Sequence, residues 1–301
     1  MPRTITVGLD GSPESRAAAE WAAREAKLRG VAVRLVQVWE PAPAPTAHAP
    51  FLGAETYQHW TERIPREAAE GLRLRHPGVE VSTEQLSGSP AEALAGAAKD
   101  AELLVVGSRG LGGIAGFLVG SVGLGVVAHA ERPVVLVRAG EQAAEEHETD
   151  AAGAPSAATS FRPVVLGLDL GSPDETVIRF ALDAAARREA PLRVVHGWNP
   201  TPYYAYGMAP DPGIQQLLAD TDAGAVAEVL APWRRKFPDV QVVAESSFGS
   251  PSNLLIDASR DASLVVVGRR VRQSAAGAHI GPVTHAVLHH ATAPVAVVPH
   301  D

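Results

Sequence analysis

The sequence predicts two tandem domains of the α/β class, each a doubly wound, mainly parallel sheet with helices on both faces. Two observations carry this prediction. The chain of 301 residues repeats itself at a period of about 160 residues. Within each copy, short Val-rich runs alternate with helix-patterned segments, as in a parallel sheet buried on both faces. Ile5-Thr6-Val7-Gly8-Leu9-Asp10-Gly11-Ser12-Pro13 recurs as Val164-Val165-Leu166-Gly167-Leu168-Asp169-Leu170-Gly171-Ser172-Pro173, and Arg34 to Trp39 recurs as Arg193 to Trp198. Ser87-Gly88-Ser89-Pro90 returns as Phe248-Gly249-Ser250-Pro251, and Pro133 to Val137 as Pro294 to Val298. Four matches in one order set the architecture.

Each copy then reads as strand, helix, strand, long loop with helix, strand, helix, strand, loop, helix, strand. The first helix starts at Ser12-Pro13-Glu14, an N-cap followed by proline and an acid, and stops at Gly30. Ala17, Trp21 and Leu28 form its apolar face. Proline-rich stretches, Glu40 to Gly53 and Asn199 to Gly213, follow the second strand of each copy and are placed to drape over the carboxyl ends of the strands. Residues 139–160 carry Glu141, Glu145, Glu146, Glu148 and Asp150 without Lys or Arg and are rich in Ala, Ser and Gly, the composition of a flexible linker. The expected division is therefore 1–138, an acidic linker over 139–160, and 161–301.

Composition narrows the function classes. The formal net charge is −8, which argues against nucleic acid as the main partner. No apolar run reaches the roughly 18 residues of a membrane span, and Met1-Pro2-Arg3-Thr4 leads into a strand without a signal-peptide pattern. Cysteine is absent, which excludes disulfides and thiolate chemistry and fits a cytoplasmic protein.

The chemistry-bearing stretch is Gly107-Ser108-Arg109-Gly110, followed after nine residues by Gly120-Ser121. It lies between the apolar run Leu103 to Val106 and a helix-like segment, Val122 to His129. A strand passing through a glycine loop into a helix aims several N–H groups at one point, which suits a phosphate. Ser121 is expected at the helix cap, and Arg109 in the turn can reach a phosphate oxygen. Asp10 ends the first strand, beside the topological switch point. An acid there can hold Mg²⁺ or accept from a ribose hydroxyl or adenine amine; it can equally just cap the turn into the first helix. Neither copy contains the P-loop pattern, and the Gly110-Leu111-Gly112-Gly113-Ile114-Ala115 match to a dinucleotide fingerprint follows the wrong strand.

On these residues both halves resemble the universal stress protein family, in its tandem two-domain form. The signature G-2x-G-9x-G-[S/T] is met by Gly107, Gly110, Gly120 and Ser121, the first-strand aspartate by Asp10, and the Gly-Ser-Pro before the third helix by Gly88-Ser89-Pro90. The resemblance implies flavodoxin-like domains of the adenine nucleotide alpha hydrolase-like kind, with five strands in the order 3-2-1-4-5. It also implies ATP binding, with Mg²⁺ as companion. Asp10 and Val38 would flank adenine and ribose, with Gly8 and Leu9 supplying backbone near the base. Gly107, Arg109 and Gly110 would wrap the ribose and α-phosphate, and Gly120, Ser121 and Val122 would hold the outer phosphates. Ser108 and Gly113 are counted in the same loop. The closing strands, Val134–Val137 and Val295–Val298, would pair the halves as an intramolecular pseudo-dimer, a homodimer of whole chains being a further possibility.

The second copy departs from the signature. Gly167, Asp169, Gly268 and Gly281 are kept, but Val271 replaces the second glycine and Pro282 the Ser/Thr. The first change adds a branched Cβ and the second removes a hydroxyl and an N–H donor. Arg269, Arg270 and Arg272 add positive charge. The expectation is weaker or no ATP binding in this half. His285 and His289 have i, i+4 spacing, but no acidic third ligand is in register, so a structural role is preferred over a metal site. Tyr203, Tyr204 and Tyr206 are expected to pack within their own loop. The functional expectation is a regulatory ATP-binding stress protein with an unidentified protein partner. The alternatives are a slow ATPase or phosphotransfer enzyme and a nucleotide-independent scaffold.

Overall fold

The computed structural model describes residues 3–39, 54–108, 119–198, 212–271 and 280–301, with side chains in the second and sixth helices from residues 63 and 219 onward. The chain divides into two compact units, one holding Met1–Gln142, the other Ala143–Arg272 with Ile280–Asp301. In the first unit the order is β1 (Thr4–Leu9), α1 (Pro13–Arg29), β2 (Ala32–Trp39), α2 (Ala54–Arg75), β3 (Val81–Ser87), α3 (Pro90–Ala97), β4 (Leu103–Ser108), α4 (Ser121–His129) and β5 (Val134–Arg138). The second unit repeats it as β6 (Val164–Gly167), α5 (Glu175–Arg188), β7 (Leu192–Trp198), α6 (Pro212–Lys236), β8 (Val242–Phe248), α7 (Pro251–Ala258), β9 (Leu264–Arg270), α8 (Pro282–His290) and β10 (Val295–His300).

Each unit has the expected strand order, β3-β2-β1-β4-β5 in the first and β8-β7-β6-β9-β10 in the second. The ladders within each unit are parallel. In the first unit α1 and α2 cover one face and α3 and α4 the other. With both faces covered, β4 and β5 are apolar: Leu103 to Val106 and Val134 to Val137 are each at most 4% exposed. The outer strand β3 buries Val81 but exposes Ser82 and Thr83, as an edge allows. The order reverses at β1, which pairs with β2 on one side and β4 on the other. Such a switch point opens a crevice at the carboxyl ends of the strands.

Helix α1 begins where the sequence indicates. The Ser12 hydroxyl oxygen accepts from the Ser15 N–H at 3.1 Å, and Gly30 ends the helix at φ 65°, the left-handed cap that glycine adopts without strain. Ala17 and Trp21 are buried, whereas Leu28 is only half-buried. The inward face instead admits a charge. Glu25, 1% exposed, receives the Arg29 Nε–H at 2.6 Å, and Arg29 reaches Glu102 at 3.4 Å. A second anchor joins α1 to α2. Glu20 is partly desolvated, which opposes ionisation, yet hydrogen bonds from Arg75 and His76 hold its carboxyl below the usual range. Helix α5 starts two residues later than the repeat would place it, because Asp174 caps it by accepting from Thr176 and Val177 N–H at 2.8 and 3.3 Å.

Residues 139–160, expected as a flexible linker, carry local structure. A short 3-10 helix spans Ala143–Glu146, and single antiparallel bridges join His147 to Phe161 and Thr149 to Pro155. Acidic side chains that would favour extended coil are engaged: Glu141 accepts from Arg24 at 2.6 Å, and Glu146 is 2% exposed. The proline-rich stretches over 40–53 and 199–211, with Tyr203, Tyr204 and Tyr206, lie outside the described residues.

Removing one partner of a buried ion pair strands the other. Glu25→Ala is expected to lower the stability of the first unit by about 3 kcal/mol, measured by urea unfolding, with the Glu25→Leu/Arg29→Met double variant much closer to the parent.

Candidate functional site

A cleft of about 320 Å³ lies at the carboxyl ends of β1, β2 and β4. It brings together Gly8, Leu9, Asp10, Val38, Gly107, Gly120, Ser121 and Val122, eight of the positions singled out from sequence. Its apolar part is lined by Val36, Val38, Pro90, Leu94 and Val106, and its polar part by Asp10, Ser12, Glu14, Ser15 and the start of α4. Apolar walls with a few convergent polar groups are the usual composition of a small-molecule site. Arg109, Gly110 and Gly113 lie outside the described residues.

Helix α4 supplies the donors. Gly120 is its N-cap, with φ −68° and ψ 161°, and makes no side-chain cap. Leu124 is the first residue whose N–H bonds back along the helix, to the Gly120 carbonyl at 3.1 Å. The N–H groups of Ser121, Val122 and Gly123 therefore precede the intrahelical ladder, as in any helix N-terminus, and they face a positive dipole end suited to an anion. Ser121 is the first helical residue rather than the cap expected from sequence, because a glycine already satisfies the extended cap conformation one position earlier.

The glycines have different jobs. A Cβ on Gly107 would lie 2.6 Å from the Glu14 carbonyl carbon and 2.8 Å from the Ser15 nitrogen. Glycine here lets the end of β4 touch the backbone of the first turn of α1. A Cβ on Gly8 would meet Leu94 at 2.9 Å, so this position brings β1 against α3. Asp10 is exposed and does cap the turn: its Oδ1 accepts from the Ser12 N–H at 2.9 Å and from the Ser12 hydroxyl, while Gly11 takes φ 83°. Both of the roles considered for Asp10 are compatible with this placement at the cleft. Ser108 turns away. It is 8% exposed and donates its hydroxyl to the Val137 carbonyl at 3.1 Å, on the neighbouring strand.

Sequence reasoning missed Ser12, Glu14, Ser15, Val36, Pro90, Leu94, Val106 and Gly123 as lining residues. Two signals were present. Ser12-Pro13-Glu14 directly follows the strand that ends in Asp10, so the start of α1 had to flank whatever Asp10 flanks. The Gly-Ser-Pro turn likewise starts α3 beside β2, through Ser89 at its cap and Pro90 as its first residue.

The second unit keeps the frame and changes the residues at the equivalent positions. Gly167 packs against Leu255 as Gly8 does against Leu94, and Asp169 holds the Gly171 N–H at 2.9 Å. At the position equivalent to Val38 stands Gly197, where a Cβ would lie 2.8 Å from the Pro251 Cα. The start of α7 thus sits directly on β7. Thr284 replaces Gly123 and donates its hydroxyl to the Gly268 carbonyl at 2.9 Å. Val271, at the position of Gly110, donates its N–H to the His300 carbonyl at 2.6 Å, and Pro282 opens α8 after Gly281 without an N–H to offer. Arg269, expected to add surface charge, is 5% exposed, and burial lowers its pKa. Arg270 is exposed, and Arg272 lies outside the described residues. The ring centroids of His285 and His289 lie 4.4 Å apart on α8, the rings tilted by 47°, with His289 buried.

The model of the Universal stress protein family matches residues 1–138 and 160–299. A universal stress protein of Mycolicibacterium smegmatis is 33% identical over 301 residues, covering 98% of this chain and 96% of that one. One from Mycobacterium tuberculosis is 34% identical over 323 residues, covering 99% and 96%. The crystal structure of a universal stress protein from Archaeoglobus fulgidus shares the fold, with a TM-score of 0.69, 15% identity, and coverage of 99% and 98%.

The two strand-end glycines are expected to respond differently to a methyl group. Gly107→Ala pushes on helix backbone and should cost the first unit about 3 kcal/mol in urea unfolding. Gly268→Ala meets the rotatable ring of His300, 2.8 Å away, and should cost about 1 kcal/mol or less.

Proposed function

Because the chain belongs to the universal stress protein family, we propose that it is a regulatory nucleotide-binding protein that holds ATP with Mg²⁺ in the cleft of the first unit. The observation that carries this reading is the pairing of that cleft with an uncapped helix N-terminus, against a counterpart helix in the second unit that begins with Pro282 and lacks the first N–H and hydroxyl. The base would lie along Val36, Val38 and Leu94, and the phosphates at Gly120, Ser121 and Val122, where N–H donors and helix dipole favour negative charge. Gly107 would serve by positioning the first turn of α1 rather than by touching the nucleotide.

The donor set also fits the metal. Asp10 and Glu14 offer carboxylates, and Ser12, Ser15 and Ser121 hydroxyls, all hard oxygen ligands of the kind Mg²⁺ takes together with phosphate. Nucleotide occupancy would act by biasing the first turn of α1 and the start of α4, which border the cleft from different elements. Among the described residues no helix is long and apolar enough to cross a membrane.

Two measurements test this. Nucleotide released by denaturing the purified protein should be an adenine nucleotide, identified by mass spectrometry. Titration calorimetry with MgATP should give one site per chain. Ser121→Pro copies the start of α8, where proline is already accommodated, and removes one N–H and one hydroxyl. It should weaken MgATP binding by about tenfold or more while leaving the melting temperature unchanged. No binding at about 1 mM ligand, or two equal sites per chain, would sink the proposal.

A further inference from the structure

A second cavity, of about 330 Å³, lies between α1 and α2. Its volume is at the lower end of the range for small-molecule sites. The apolar lining comes from Leu9, Ala19 and Leu72, all at most 5% exposed, and from Ile64. Four charged residues complete it, and three are already matched. Glu20 is bound by Arg75 and by His76, and Glu67 pairs with Arg63 at 2.9 Å. Arg16 differs. Its Nη2 donates to the Gly11 carbonyl at 3.0 Å, and among the described residues it pairs with no carboxylate. An apolar pocket with one cation unmatched among the described residues is complementary to an apolar molecule bearing one negative group.

The position of this cavity gives it a consequence. Leu9 and Ser15 line both cavities, so only the end of β1 and the first turn of α1 separate them. That turn has no slack toward β4, because the backbone of Glu14 and Ser15 already fills the space where a Gly107 side chain would be. Whatever wedges between α1 and α2 therefore loads the wall of the first cleft. We propose that the α1–α2 cavity binds a small amphipathic anion, with its apolar body on Leu9, Ile64 and Leu72 and its negative group on Arg16, and that its occupancy is coupled to that of the nucleotide cleft. The coupling, unlike the site, rests on the nucleotide reading. By linkage it is reciprocal: each ligand changes the affinity of the other by the same factor.

The fluorescent dye anilinonaphthalene sulfonate, an apolar body with one sulfonate, is a direct probe on the full chain. One saturable dye site per chain is expected. Ala68→Phe, which fills the cavity, should abolish it, and Arg16→Ala should weaken it about tenfold. Ser121→Pro should leave it unchanged. Because Arg16 is exposed, its variant keeps the test decisive even where Ala68→Phe compromises folding. Saturating MgATP should shift the dye affinity by about fivefold without displacing the dye. Non-saturable fluorescence, or loss of the dye with Ser121→Pro but not with the Arg16 and Ala68 variants, overturns the site. Unchanged dye affinity with MgATP bound, or simple displacement, overturns the coupling. A protein that binds dye but no MgATP overturns the nucleotide reading and the coupling with it, and leaves the site established.

Discussion

The first unit turns on one contact, between the end of β4 and the opening turn of α1. Gly107 has no side chain, so the backbone of Glu14 and Ser15 lies against the strand. This closeness fixes where α1 begins, and the Asp10–Ser12 hydrogen bonds and the Ser12 cap bring the chain there from β1 within three residues. It also decides what the cleft contains, because Ser12, Glu14 and Ser15 reach its wall only while α1 is held at β4. A β-carbon at residue 107 would press on Glu14 and Ser15, separate the two elements and so dismantle the polar wall.

The two units show how few residues separate two copies of one fold at the positions that line a cleft. Strand order, the aspartate-capped turn and the Gly-Ser-Pro helix start are common to both. Differences include Gly for Val on the second strand, which admits a helix start, Thr for Gly near the helix start, its hydroxyl tied to a strand carbonyl, and a proline at the first helical position. Each is locally comfortable. Proline suits the start of a helix because its missing N–H has no intrahelical acceptor there, and the threonine hydroxyl finds a partner at 2.9 Å.

The fold was largely legible because repetition and buried parallel strands write themselves as Val-rich runs: Leu103 to Val106 and Leu264 to Val267 are apolar because helices cover both faces. The site was legible in outline for a different reason, since glycine and aspartate at strand ends mark places where backbone or ligand comes close. Which of the two comes close was not written there. Gly107 was read as room for a phosphate; it lines the cleft and also lies against helix backbone. Ser108, inside the same motif, spends its hydroxyl on the adjacent strand. Gly197 is the clearest illegible residue, because a glycine in a strand shows no sign of the proline ring that another segment brings to it. Glu25 was silent too, since a charged residue on an apolar helix face declares its burial only once Arg29 and Glu102 are seen around it.

Filling a cleft and opening one are not symmetric events. The Thr284 hydroxyl bond and the seating of Pro251 on Gly197 add contacts, whereas undoing them would leave unpaired groups and voids that a close-packed interior penalises. Substitutions that add such contacts are favoured by folding stability alone. An open cleft forgoes them, and the first unit keeps its cleft at that cost in packing.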